Sequence, residues 1–133
     1  MCLMSTIDKI VFNLINKNIS IAVAESCTGG LIAHTLTKYS GISKIFSTGI
    51  ICYSNQTKVK YLSISKKTLN KFGAVSEEIA LEMIKNLYKK EKSQICISTT
   101  GIAGPKGGSN TKPVGLVFVG LRFKNKEYVL KKI

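Results

Sequence analysis

Ile19-Ser20-Ile21-Ala22-Val23-Ala24-Glu25-Ser26-Cys27-Thr28-Gly29-Gly30 is the stretch on which the fold turns. Ile19–Ala24 is a short apolar run of strand length, the pattern of a strand buried on both faces. It passes without a spacer into Glu25-Ser26-Cys27-Thr28-Gly29-Gly30, and Leu31–Lys38 continues as a helix. A strand, a Gly-containing turn and a helix in immediate succession place the turn at the carboxyl end of a parallel strand. Open α/β sheets bind ligands there.

Working outward, Ser5 can cap an upstream helix in which Asp8 suits the first turn and Ile7, Ile10, Val11, Leu14 and Ile15 share one face. Downstream, Thr48–Tyr53 reads as a second strand. Asn55 can cap a short helix carrying Lys58 and Tyr61, and Ser65–Phe72 forms another before Gly73. Ser76 caps the clearest helix, with Glu77 and Glu78 opposing the N-terminal dipole and lysines at the other end. Ile95–Thr99 is a third strand, feeding Thr100-Gly101-Ile102-Ala103-Gly104-Pro105. Residues 105–113 form a loop, and Val114–Phe123 and Glu127–Ile133 pair as an antiparallel hairpin. The expected fold is α/β: three α/β/α layers around a mixed, mostly parallel sheet with a C-terminal antiparallel hairpin.

The 133 residues fit a single domain, and 44% are hydrophobic, enough for a packed core without a metal or disulfide staple. No apolar run approaches the ~20 residues needed to cross a bilayer, and the first residues lack a signal-peptide pattern, so a cytoplasmic, non-membrane protein is expected. The cysteines at 2, 27, 52 and 96 form no C-x-x-C pair and have no histidine spaced to join them, so no metal site is expected. Cys52 and Cys96 lie in apolar runs and read as buried thiols. The net charge of +13 invites a nucleic-acid reading, yet Arg122 is the one arginine and the lysines are scattered without interleaved aromatics. A lysine-rich solvated surface accounts for that pattern.

Two loops rich in Gly, Ser and Thr, each following an apolar strand, point to a phosphate or carboxylate site, with the helix after Gly30 adding its positive end. Neither fits a Walker or dinucleotide fingerprint. Ser26, on a strand-to-helix turn, is a nucleophile candidate with neighbouring backbone N–H groups as an oxyanion hole. His34, two turns into the helix, is badly placed as its base, and a structural or surface role suits it better. A lysine depressed by burial, Lys58, can deprotonate a serine directly or through Tyr53, although a solvated helix lysine is the plainer reading. Cys27 is the rival nucleophile, sharing the helix N-terminus that lowers a thiol pKa. Glu25 either acts as a general base or braces the loop through backbone N–H groups.

Six words occur in order: Ala-Glu-Ser-Cys-Thr-Gly-Gly (24–30), Tyr-Ser-Asn-x-x-Lys (53–58), Gly-Ala-Val-Ser (73–76), Thr-Gly-Ile-Ala-Gly-Pro (100–105), Gly-Gly (107–108) and Lys-Pro-Val-Gly (112–115). In order and spacing, from about residue 5 to 123, they resemble the CinA C-terminal domain family, the PncC-type amidohydrolases. The resemblance implies hydrolysis of the carboxamide of nicotinamide mononucleotide to nicotinate mononucleotide and ammonia, in pyridine nucleotide recycling. It implies no organic cofactor and a homodimer or larger assembly. Ser26 would be the nucleophile, activated by Tyr53 and Lys58. Cys27, Thr28, Gly29 and Gly30 would bind substrate, and Thr100, Gly101, Ala103, Gly104, Gly107 and Gly108 would help hold the ribose phosphate.

The sequence departs from the family in two respects. It stops at Ile133, before the arginine-bearing turn and closing helix expected next, and Lys106 stands where a small or acidic residue is common. A degenerate homologue that binds a mononucleotide without turning it over is therefore a second reading, and a basic nucleic-acid-associated protein a third.

Overall fold

The computed structural model describes residues 4–133, so Cys2 lies outside the described residues. Five strands form one sheet in the order β2-β1-β3-β4-β5. They are β1 (Ile21–Glu25), β2 (Phe46–Ile51), β3 (Ile95–Gly101), β4 (Val117–Phe123) and β5 (Lys126–Lys132). β1 runs parallel to both β2 and β3, and the β3–β4 and β4–β5 pairs are antiparallel. This is the expected mixed α/β sheet ending in a hairpin.

β1 is buried along its whole length, and its alternation sorts the core into two halves. Ile21 and Val23 join Val11 of helix α1 (Thr6–Asn16), Leu36 of α2 (Leu31–Thr37), Ile42 and Ile45 on one face. Ala22 and Ala24 face the other way. They pack with Cys52 and Cys96, with Leu62 of α3 (Asn55–Leu62) and Leu69 of α4 (Lys66–Phe72), and with Ile79, Met83, Ile84 and Leu87 of α5 (Glu77–Glu91). Small alanines on that side let α5 lie close to the sheet. No helix among the described residues is long and apolar enough to cross a membrane.

Several boundaries differ from expectation, each for a local reason. β1 includes Glu25, whose Cα pairs with Ile51 and Thr99, because its carboxylate is satisfied away from the strand. β2 spans Phe46–Ile51 rather than Thr48–Tyr53. On this edge strand Ser47, Gly49 and Ile51 are exposed, so no continuous apolar run is needed. Ser54, rather than Asn55, caps α3: its Oγ accepts from the Thr57 N–H while Thr57 Oγ1 accepts from the Ser54 N–H. β4 begins at Val117 rather than Val114, after Gly115 turns the chain at φ 91°. A short 3-10 turn, Ile42–Lys44, was not anticipated; it buries Ile42 and leads Ile45 into the core.

Contact between α5 and the sheet depends on Gly120 of β4, which pairs with Ser98 of β3. Ser98 Oγ donates to the Ala80 carbonyl at 2.8 Å, and a Cβ at 120 would sit 2.4 Å from that Oγ and 2.8 Å from that carbonyl. Gly120→Ala is expected to destabilise the domain by about 1–3 kcal/mol. In urea unfolding the midpoint should fall with the slope unchanged; an unshifted midpoint would show that α5 can move away freely.

Candidate active site

The carboxyl ends of β1 and β2 and the first turns of α3 converge on two side chains, Ser26 and Lys58. Ser26 follows directly on β1, and its backbone is tied to the neighbouring strands and turn. Its N–H donates to the Thr99 carbonyl (3.1 Å), its own carbonyl accepts from Gly29 N–H (3.1 Å), and the preceding Glu25 carbonyl accepts from Cys52 N–H (2.8 Å). Lys58 lies one turn before Leu62, so the spacing that aims Leu62 into the core aims Lys58 inward too. It is 1% exposed, the kind of burial lysine almost never shows without specific partners.

Lys58 Nζ has three neighbours: Ser26 Oγ at 2.8 Å, the Cys52 carbonyl at 3.0 Å and the Tyr53 carbonyl at 3.3 Å. Burial pushes its pKa below the ordinary lysine value, and the nearby Cys52 and Cys27 thiols oppose that shift. As an ammonium it can donate to all three oxygens. As a neutral amine it can donate to the two carbonyls, which leaves its lone pair for the proton of Ser26 Oγ. That geometry would allow Lys58 to act as a base toward Ser26.

Glu25 braces the loop. Its Oε2 accepts from Thr28 Oγ1 (2.6 Å), Gly30 N–H (3.0 Å) and Ile32 N–H (3.1 Å), and its Oε1 accepts from Ala33 N–H (2.8 Å). It therefore caps α2, where Gly30 has no side chain to do so. The expectation that this helix end is open to a ligand anion needs correction, because an internal carboxylate already fills it. The expected lowering of the Cys27 thiol is corrected too. Burial raises its pKa more than its own N–H, Lys58 and Thr99 lower it. The Cys27 and Thr28 N–H groups, by contrast, are bonded to no other residue among those described.

The remaining predicted residues divide by what holds them. The Tyr53 ring is exposed, and its backbone carbonyl is the part that meets Lys58. Thr100 is buried, with Oγ1 donating to the Ala74 carbonyl (2.6 Å). At Gly101 a Cβ would lie 2.6 Å from the Leu116 carbonyl, so close packing of residues 116 and 117 already requires glycine there. Ala103, Gly107 and Gly108 are exposed and Gly104 is half-buried. Beside this loop a cleft of about 370 Å³ is lined by residues including Ser76, Glu77, Glu78, Thr111, Lys112 and Lys131. Arg122 is remote: it pairs with Cys96 near the start of β3, stacks on Tyr88 and binds Glu127. His34 is exposed. Cys52 and Cys96 are buried free thiols, with Cys96 pushed up to about 11 by burial.

Sequence reasoning missed Thr99, whose Oγ1 lies 2.7 Å from Thr28 Oγ1, and the Cys52 carbonyl on Lys58. The Glu25–Thr99 pairing that brings Thr99 under the loop is a matter of strand register, which one chain's periodicity does not reveal.

The family model of the CinA C-terminal domain matches residues 4–133. The chain belongs to that family. Its CinA domain is 51% identical over 127 residues to a CinA-like protein of Kosmotoga olearia, covering 95% of this chain and 31% of that protein. Thus the chain spans under a third of that relative's length. Among solved structures, the competence/damage inducible protein of Agrobacterium tumefaciens superposes with a TM-score of 0.90 at 35% identity, covering 98% of this chain and 83% of that one. A CinA superfamily protein of Escherichia coli does so at 0.88 and 29%, covering 98% and 80%.

A lysine depressed on folding sets the sign of a pH effect on the CinA domain's stability. Between the folded value and 10.5 the unfolded chain holds a proton that folded Lys58 has shed. Its contribution to stability therefore rises with pH across that window and is lost as pH falls through the folded value. Urea unfolding of wild type and Lys58→Met at pH 7 and pH 9 should show wild type gaining on the variant at the higher pH. Parallel profiles would mean that Lys58 does not titrate in this range.

Proposed function

We propose that the domain is an amidohydrolase that deamidates nicotinamide mononucleotide, with Ser26 as nucleophile and Lys58 as its base. The observation that carries the chemistry is the 2.8 Å approach of Lys58 Nζ to Ser26 Oγ with both side chains buried. The substrate is the one implied by the resemblance of the motif words at 24–30, 53–58 and 100–108.

In this reading neutral Lys58 takes the proton of Ser26 Oγ as that oxygen attacks the carboxamide carbon. The Cys27 and Thr28 N–H groups receive the developing oxyanion. When the C–N bond breaks, the Lys58 ammonium returns the proton to the leaving nitrogen, which departs as ammonia. Water then attacks the acyl-serine, giving its proton to Lys58. Collapse of the second tetrahedral species releases nicotinate mononucleotide and restores the proton to Ser26 Oγ. Tyr53, exposed at the mouth, is assigned to proton movement once substrate covers it. The segment 103–108 and the adjoining cleft, with Lys106, Lys112 and Lys131, are assigned to the ribose phosphate. A second copy of the chain is the expected partner.

One observation favours a second reading, a domain that binds the mononucleotide without turning it over. The single arginine of this sequence, Arg122, is stacked on Tyr88 and paired with Glu127, so no arginine among the described residues is placed to meet the phosphate.

Ammonia release from nicotinamide mononucleotide decides between them. Wild type should release ammonia, Ser26→Ala should fall by about 10⁴-fold or more, and Lys58→Met by about 10²–10⁴-fold. Turnover that survives in Ser26→Ala would falsify the nucleophile assignment. A folded wild type that binds the mononucleotide and releases nothing would establish the binder. The kcat/KM of wild type should also rise with pH along a limb whose midpoint lies below 10.5, since the neutral amine is the reactive form.

A further inference from the structure

Glu25 is 1% exposed, and the serine–lysine chemistry proposed above gives it no proton to carry. Its four hydrogen bonds bind two things at once, the start of α2 and the side chain of Thr28. The Thr28 hydroxyl has a single proton, and the acceptor-only carboxylate takes it. The 2.7 Å contact between Thr28 and Thr99 must then be donated by Thr99. The order is fixed: Thr99 donates to Thr28, and Thr28 donates to Glu25.

We infer that Glu25 is the positioning residue of the site, clamping the turn 26–29 between β3 and α2 so that Ser26 Oγ faces Lys58 and the Cys27 and Thr28 N–H groups face the oxygen of the attacked carboxamide. The inference rests on the amidohydrolase reading. Ser26 lies in a turn whose two ends meet at one carboxylate: the residue before it supplies the group, and Thr28 and Gly30 after it are held by that group. Freeing the carboxylate's bonds would release the α2 N-terminus and the Thr28 hydroxyl together, and the serine would lose its register to the lysine. Glutamine has the same shape but cannot restore the clamp. Its NH2 would face Ala33 N–H in one orientation, or Gly30 N–H, Ile32 N–H and Thr28 in the other.

The test uses the full chain and a fluorophosphonate, which Ser26 Oγ attacks at phosphorus with loss of fluoride and of its proton to Lys58. Wild type, Glu25→Gln and Thr28→Val are labelled to completion and also assayed for ammonia release. Thr28→Val leaves the three α2 N–H bonds to Glu25 in place and cuts only the hold on the loop, so it serves even where Glu25→Gln does not fold. In each folded variant the rate of labelling should fall about 10–100-fold with one label per chain still reached. The fall in kcat should match, with KM within about threefold. A merely structural role would lower the labelled fraction and leave the rate of the remainder unchanged. That result, or full labelling at the wild-type rate, overturns the positioning role and leaves the serine–lysine reading standing. A wild type that is neither labelled nor active overturns the serine–lysine reading and this inference with it.

Discussion

A lysine amine enclosed by protein is the constraint around which the site is built. Removing an ammonium from water costs several kcal/mol even after relaxation, so the surroundings must supply oxygens or the proton must leave. Here β2 stops at Ile51, and the carbonyls of Cys52 and Tyr53 turn toward Lys58. The Cys52 carbonyl leaves the ladder at a buried position and would be costly without a donor. The amine and the two carbonyls therefore satisfy one another. The early end of β2, the Ser54 cap that starts α3 and the inward aim of Lys58 follow from the same arrangement. Ser26 Oγ completes the shell and is the one member of it with a proton to give.

The buried carboxylate and the buried lysine of this region are treated in opposite ways. Glu25 meets only donors, three backbone N–H groups and a hydroxyl, so the carboxylate is fixed in place. Lys58 meets two carbonyls and a hydroxyl, and burial works against its charged form. One group is anchored and the other is poised to exchange a proton. Such a separation of environments is how a site assigns different roles to neighbouring titratable groups. It also explains why Cys27 is the weaker candidate beside Ser26. Glu25 occupies the helix end that would have favoured a thiolate, and burial disfavours it further.

Most of the architecture was legible because it rests on local rules. The apolar run into Glu25-Ser26-Cys27-Thr28-Gly29-Gly30, the Ser5 and Ser76 caps and the terminal hairpin each state their structure within a few residues. Lys58 was legible only in part. It is one lysine among many, and the feature that sets it apart is the spacing to Leu62, which turns it toward the core. Glu25 could brace or act as a base because a sequence does not say which way a side chain turns. Thr99 was invisible for want of register. The glycines of the second loop misled in a different way. Gly101 and Gly108 answer to backbone at 113–116, with the Leu116 carbonyl 2.6 Å and the Val114 nitrogen 2.7 Å from their virtual Cβ atoms.

That difference separates the capacities of the two loops. In the second loop Ile102 N–H donates to Leu116, Gly115 N–H to Ile102 and Ser109 N–H to Lys112, while the N–H groups of Ala103, Gly104, Lys106, Gly107 and Gly108 are bonded to no other residue among those described. Lys112 also donates from Nζ to the Phe72 carbonyl at the end of α4. What this loop can offer an anion is the N–H groups of a mostly exposed segment and lysine side chains on long, flexible stems. The first loop offers two uncommitted N–H groups on a turn held at both ends, a small and rigid arrangement. A charge that develops on one oxygen for an instant needs the rigid kind, because donors already in place need no reorganisation. A phosphate that is charged throughout can be met by the flexible kind. The division of labour proposed for the two loops therefore follows from how firmly each holds its donors, rather than from the glycines they share.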